Sequence, residues 1–382
     1  MTDKDHNPSS THPPLPPTSE DEQFSRLRLL RSRRVGVTTY KRLLTEHGTA
    51  QNALAALPEV ARAAGVQGYE ICPEAVVQAE LNAARAAGAR LIMAGGPGYP
   101  DLLVDVEDAP PFLWVIGDPS LLSRPMISLV GARNASSLGL RMAKALARDL
   151  GAAGYVVVSG LARGVDAAAH GAALETGTVA VQAGGVDVIY PTENTELAQD
   201  IAARGLRLSE QPMGLKPVAR HFPSRNRIIS GLSAATVVVE AAAKSGSLIT
   251  ARDALDQGRD VLAVPGSPID ARAAGCNQLI RDGATLIRSA EDVLEALTPL
   301  HGSAPELPLT LPRPAPPAPR HGLRDVASLH RKILSRLSPA PMAEDQLIRD
   351  LAVAPADAAP VLLDLEMEGK IARRSGGLLS RG

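Results

Sequence analysis

Two kinds of hydrophobic spacing follow one another along the chain. Between residues 23 and 88, apolar positions recur at helical intervals in short segments: "FSRLRLLRS", "TTYKRLLTEHG", "AQNALAALPEVARAAG" and "CPEAVVQAELNAARAAG". Gly or Pro separates them, as expected of a small helical domain. From 89 to 298 the pattern changes to apolar runs alternating with amphipathic stretches. The runs are "MISLVGA" (126–132), "YVVVSG" (155–160), "TVAVQAGG" (178–185), "LRLSE" (206–210), "ATVVVEAA" (235–242) and "DVLAVPG" (260–266). They are continuously apolar rather than alternating in and out, which requires burial on both faces and hence a parallel sheet covered by helices. The expected fold class is α/β, with a Rossmann-like doubly wound sheet. Residues 1–22, rich in Pro, Ser, Thr and charge, read as a disordered tail, and the Pro-dense 299–322 as a semi-rigid linker. Residues 323–382 give three helical segments and then a strand pair around "SGG", the order of a winged helix.

At 382 residues the chain has room for several domains, and its 45% apolar and 21% charged content is ordinary for a folded protein. The net charge of −1 matters more. No global basic field exists, so contact with a nucleic acid needs a local patch. Two cysteines far apart, Cys72 and Cys276, exclude a disulfide framework and give no zinc spacing. No transmembrane run and no secretory core region occur, which makes the cytoplasm the expected compartment.

In a doubly wound sheet ligands lie beyond the carboxyl ends of the strands, where helix N-termini point. The first such loop, "GARNASS", offers Gly131 for close approach and Arg133 as a forked cation. The second, "SGLARGVD", offers Ser159, Gly160 and Arg163. A later one offers Lys244, then Ser245, Gly246 and Ser247 at a helix start. "HFPSRNRIISGLS" (221–233) sets Phe222, one of three Phe in the chain, among Arg225, Asn226 and Arg227. Each loop alone is ordinary capping chemistry. Converging on one sheet edge, they describe a site for an extended anion, with an aromatic face for a base. Asp166 and His170, at i,i+4 on one helix face, could form a catalytic pair; a buried orienting role for the 159–163 loop is favoured. No GxGxxG or GxxxxGK[ST] occurs, and no nucleophile stands with a base. The residues describe a binder without catalytic groups, metal or cofactor.

These stretches, with "YPDLLVDVEDAPPFLWVIGD", "GGVDVIYPTENTEL", "SEQPMG" and "GCNQLIRDGA", resemble the DNA-processing protein A (DprA/Smf) family almost unbroken from 95 to 290. The resemblance implies a homodimer whose Rossmann-like core binds single-stranded DNA. It implies delivery of that strand to a RecA-type recombinase in natural transformation or recombinational DNA repair, helping to displace single-strand-binding protein. Carried over by residue type, the strand site comprises Arg133, Ser159, Gly160 and the 222–227 cluster, with the 245–247 turn carried less directly.

Outside that core, "RRVGVTTYKRLL" (33–44) resembles a helix-hairpin-helix, but Thr38 stands at the second hairpin glycine, which favours packing over DNA contact. The third helix of the winged segment carries Asp357, Asp364, Glu366 and Glu368, with no cation before Lys370. An acidic face repels phosphate and argues against duplex reading there. Lys370, Arg373 and Arg374 remain as backbone contacts, a protein-contact role being preferred. The rival reading is a nucleoside-monophosphate phosphoribohydrolase, whose related fold also has a GxR-like first loop. Its PGGxGTxxE signature is absent here.

Overall fold

A computed structural model describes residues 20–297, 323–374 and 377–382. The expected linker and all of the expected tail except residues 20–22 lie outside that range. By contacts the chain divides into two compact units, 1–301 and 302–382. The first helix, α1 (Glu20–Arg31), opens inside the stretch read as tail. Glu20, Asp21 and Glu22 put three carboxylates in its first turn, where the helix dipole favours them. It is followed by α2 (Val37–His47), α3 (Ala50–Ala63) and α4 (Glu74–Ala86). Thr49 caps α3 by accepting from the Asn52 amide at 3.2 Å.

Next come β1 (Arg90–Met93), the single turn α5 (Asp101–Val104) and β2 (Phe112–Gly117). Neither strand is marked by the run pattern. They form the antiparallel end of the sheet, pairing with each other, and β2 continues antiparallel onto β6 (Leu206–Ser209). Their outer face is covered by the four helices: Met93, Phe112 and Trp114 share one core with Leu27, Leu43, Leu54 and Val77. The Arg31 guanidinium meets both Glu80 oxygens at 2.8 Å, and the buried Trp114 indole N–H donates to Glu80 at 2.8 Å. A buried charge is tolerable only when so satisfied, and here it pins α1, α4 and β2 together.

The rest of the sheet is parallel. Strands β3 (Met126–Val130), β4 (Val156–Ser159) and β5 (Thr178–Val181) alternate with α6 (Ser137–Ala152), α7 (Val165–Ala173) and α8 (Thr195–Arg204). After β6 come α9 (His221–Gly231), β7 (Ala235–Val238), α10 (Ser247–Asp256), β8 (Asp260–Ala263), α11 (Ala274–Arg281), β9 (Thr285–Leu286) and α12 (Ala290–Leu297). The spatial order is β1-β2-β6-β5-β4-β3-β7-β8-β9. Every residue of β3 to β7 is buried, which is why most of those segments read as apolar runs; β6 is the exception, burying Arg207 and Ser209 as well. The chain winds outward from β3 through β4, β5 and β6, then returns to place β7 on the other side of β3. That reversal creates a crevice beyond the carboxyl ends of β3 and β7.

The second unit holds α13 (Leu323–Arg336), β10 (Met342–Ala343), α14 (Glu344–Leu351), α15 (Pro355–Met367), β11 (Ile371–Arg374) and β12 (Leu378–Arg381). Ile333, Leu347, Leu365, Ile371 and Leu379 form its own core, and β12 lies between β10 and β11. This is a winged helix.

Candidate nucleic-acid interface

A cleft of about 770 Å³ opens at the crevice between β3 and β7. Gly131, Arg133, Phe222, Arg225, Asn226, Lys244 and the 245–247 turn all line it. Three chain segments far apart in sequence are thus brought to one opening. Gly131 allows the approach: a Cβ there would stand 2.7 Å from Val165 and 3.0 Å from the Glu240 carbonyl.

The lining side chains differ sharply in availability. Arg133 is exposed, with its guanidinium carbon 5.3 Å from the centre of the Phe222 ring. Lys244 is exposed, and neither cation pairs with a carboxylate among the described residues. Phe222 is half-buried and lies against the exposed Tyr190 ring at 5.7 Å between centroids. Tyr190 was not among the expected site residues. It stands 32 positions before Phe222, so no local spacing could have joined the two rings.

Arg225 sits beneath the cleft as a buried group, only 6% exposed. It donates to the Val181 carbonyl at 2.7 Å. Gly160 exists to admit it, since a Cβ at 160 would fall 1.8 Å from the Arg225 Nη1 atom. Burial pulls the guanidinium down to about 10, an effect opposed by the nearby Asp166 carboxylate. Asp166 in turn accepts from the Gly160 amide at 3.1 Å and the Ala162 amide at 3.3 Å. Burial raises the Asp166 carboxyl, while Arg225 and those amides hold it down. His170 accepts from the Leu161 amide at 3.3 Å, and its other nitrogen meets the Thr178 hydroxyl at 2.7 Å. Burial lowers this imidazole to about 3, so it is neutral. Asp166 and His170 each fasten the 160–162 backbone. Ser159 is buried too, donating to the Leu129 carbonyl at 2.6 Å.

Four expected site residues do not line the cleft: Ser159 and Gly160, which are buried behind it, and the two arginines Arg227 and Arg163. Arg227 is held by Asp108 at 3.0 Å and Glu210 at 2.5 Å. Arg163 is exposed beside the site and stands 3.7 Å from Glu193. Asn226 reaches the Gly246 carbonyl at 3.4 Å and braces the turn before α10, where the Ser245 and Ser247 hydroxyls lie 2.7 Å apart.

The N-terminus of α6, where a nucleotide phosphate would sit in such a fold, is filled from within. Glu240 accepts from the Ser136 amide at 3.0 Å and from its hydroxyl at 2.6 Å. Gly139 leaves space for that carboxylate, because a Cβ there would come within 2.5 Å of it. The cleft therefore presents cations and rings at its rim rather than a phosphate cradle at its base. Among the described residues there is no cluster of three His, Cys, Asp or Glu that could hold a metal, and no helix long and apolar enough to cross a membrane.

Comparison with known proteins agrees with this architecture. Residues 90–298 match the family model for DNA recombination-mediator protein A. Residues 20–83 match a DprA-like N-terminal helix-hairpin-helix domain, and 312–377 a DprA winged helix domain. The DNA processing protein DprA of Bacillus subtilis is 46% identical over 220 residues, 57% of this chain and 74% of that protein. Protein Smf of Synechocystis is 37% identical over 306 residues, 73% of this chain and 77% of the other. Among solved structures, DprA from Streptococcus pneumoniae superposes with a TM-score of 0.60 at 34% identity, over 71% of this chain and 97% of that one. DprA from Helicobacter pylori, whose structure is described as giving its single-stranded DNA binding mode, has a TM-score of 0.51 at 31% identity, covering 55% and 95%. With a family match across more than half its length and this nine-stranded core, the chain belongs to the DprA/Smf family of DNA recombination-mediator proteins.

Proposed function

We infer that the protein binds single-stranded DNA in the β3/β7 cleft without sequence preference, and presents it to a RecA-type recombinase as a non-enzymatic mediator. The observation that carries this reading is the pairing of unneutralised cations, Arg133 and Lys244, with the Phe222 ring at one opening, Tyr190 packing against that ring. Cations attract phosphates of any sequence, and a ring face stacks any base. An exposed aromatic platform suits unstacked bases, which a duplex does not offer. The Helicobacter relative's single-strand binding supports the same choice. In this reading Arg225, Gly160, Asp166 and His170 hold the floor rigid, and Arg227 fixes α9 through Asp108 and Glu210. The recombinase contact, displacement of single-strand-binding protein, homodimerisation and a role in natural transformation belong to the same proposal. A dimer would join two modest sites on one strand and raise avidity.

The test is fluorescence-anisotropy binding of labelled oligo-dT and its duplex across a salt series, for wild type and Arg133→Ala. The expected result is preference for the single strand, with a linear fall of log K on log salt that Arg133→Ala flattens by roughly 0.7. Preference for duplex, or an unchanged slope, overturns the assignment. The hydrolase alternative is checked by base release from nucleoside monophosphates, for which no turnover is expected.

A further inference from the structure

A second groove, of about 740 Å³, runs between α6 and α7 and shares Arg133 and Asn134 with the cleft. Ten residues line it, including the two cations Arg133 and Lys144 and no Asp or Glu. In a chain of net charge −1 that is an uneven distribution. Its floor along α7 has nothing longer than an alanine side chain: Ala167, Ala168, Gly171 and Ala172. Lys144 also lines the neighbouring hollow on the far side of α6, together with Arg141.

Arg141, Lys144 and Arg148 stand at i, i+3 and i+7, on one exposed face of α6 and spread over about 10 Å. Arg148 is engaged by its neighbour Asp149, at 2.8 Å. Arg141 and Lys144 make no ion pair with any carboxylate among the described residues. The free charge on α6 is therefore concentrated at the end nearer Arg133.

We propose that the strand does not end at Arg133 but continues over Arg133 and Asn134 into the α6–α7 groove, with its phosphates meeting Lys144 and then Arg141. The occupant is a single strand of nucleic acid. The proposal rests on the reading of the cleft as a single-strand site, and adds a second stretch of footprint to it. The small floor lets the backbone lie close to α7, and within the groove the absence of carboxylates leaves Lys144 unopposed; Arg141 stands just outside it, on the same helix face but in a hollow that Asp149 and Asp270 also line.

The experiment compares Arg141→Ala/Lys144→Ala with Arg133→Ala and wild type on two oligo-dT probes. One is a short probe of roughly 5 nucleotides, confined to the cleft; the other is roughly 20 nucleotides long. The α6 double variant is expected to bind the short probe like wild type. On the long probe it should lose roughly tenfold in affinity, with a salt slope lower by roughly 1.4, the contribution of two phosphate contacts. Equal binding of the long probe by the double variant and wild type overturns the path. So does an equal loss on both probes, which would mark a general field rather than a footprint. Arg133→Ala separates the two readings. If it weakens both probes while the double variant weakens neither, the cleft stands and the α6 path falls. If it weakens neither probe, the cleft reading itself fails. Both α6 side chains are exposed, so circular dichroism and melting should be unchanged.

Discussion

The cleft and the wing both carry two or more cations within a short stretch, and the structure treats them in opposite ways. At the cleft, Arg133 and Lys244 are exposed and meet no carboxylate among the described residues. On the wing, Arg373 is engaged by Glu344 and by Glu366, the latter at 3.3 Å, and Lys370 lies 2.7 Å from Glu368. Glu344, Glu366 and Glu368 thus engage two of the wing's three cations from within its own unit, while the exposed Arg374 makes no ion pair among the described residues. A count of basic residues along the chain cannot separate these cases. What matters is whether the fold supplies a carboxylate first, because a pre-paired cation must give up one partner to gain a phosphate.

The comparison can be broken most severely from below the cleft. Arg225→Ala deletes a buried guanidinium that donates to the Val181 carbonyl and fills the space left by Gly160, and should cost about 2–4 kcal/mol of stability. Urea titration checks it, and a loss under about 1 kcal/mol would mean that the floor is not held by Arg225. The buried His170 sharpens the same point by pH. Its folded value is near 3, against about 6.5 when unfolded, so between those values the unfolded chain takes up a proton that the folded chain refuses. Its contribution to stability is therefore whole above about 6.5 and is lost as pH falls toward 3. Subtracting the melting profile of His170→Gln from that of wild type isolates this contribution; a flat difference would deny it.

Smaller effects belong to the rim. Arg133→Ala should cost about 1.5–3 kcal/mol of single-strand affinity if its guanidinium makes a charge-assisted bond to phosphate. Phe222→Ala should cost about 1–3 kcal/mol, at the lower end because Tyr190 remains, with little change in salt slope. A large change of slope would show that the ring acts by positioning Arg133, over which it lies. Smallest of all, Lys370→Ala/Arg373→Ala should change single-strand affinity by less than about 0.5 kcal/mol. A loss matching that of Arg133→Ala would erase the distinction between cleft and wing.

Much was legible before any coordinates. Largely apolar runs identified six parallel strands, because burial on both faces favours apolar residues at successive positions, β6 with its Arg207 and Ser209 being the exception. The winged-helix order followed from the element sequence. What escaped was the antiparallel end of the sheet, β1 and β2, and the two-residue parallel strand β9 at the other edge. Neither β1 nor β2 opens a strand–helix alternation: β1 leads into the single turn α5, and β2 runs on toward β3 with no long helix between them. The helices of 20–86 cover β1 and β2, and so the helical segment that looked separate shares a core with the sheet edge.

The same division holds within the site. Sequence alone determined which loops end the parallel strands, since strand–helix alternation and glycine placement are local properties. It therefore determined that Gly131, Arg133, Phe222, Lys244 and the 245–247 turn would meet. Which arginine is free was decided only by tertiary structure. Arg133 and Arg225 are equally basic on paper, but Gly160 makes a hole for one, while Glu240, filling the α6 N-terminus, leaves the other at the rim. Arg227 is taken by Asp108 and Glu210, residues 119 and 17 positions away. Availability of charge depends on through-space neighbours, and no pattern along a chain encodes those one residue at a time.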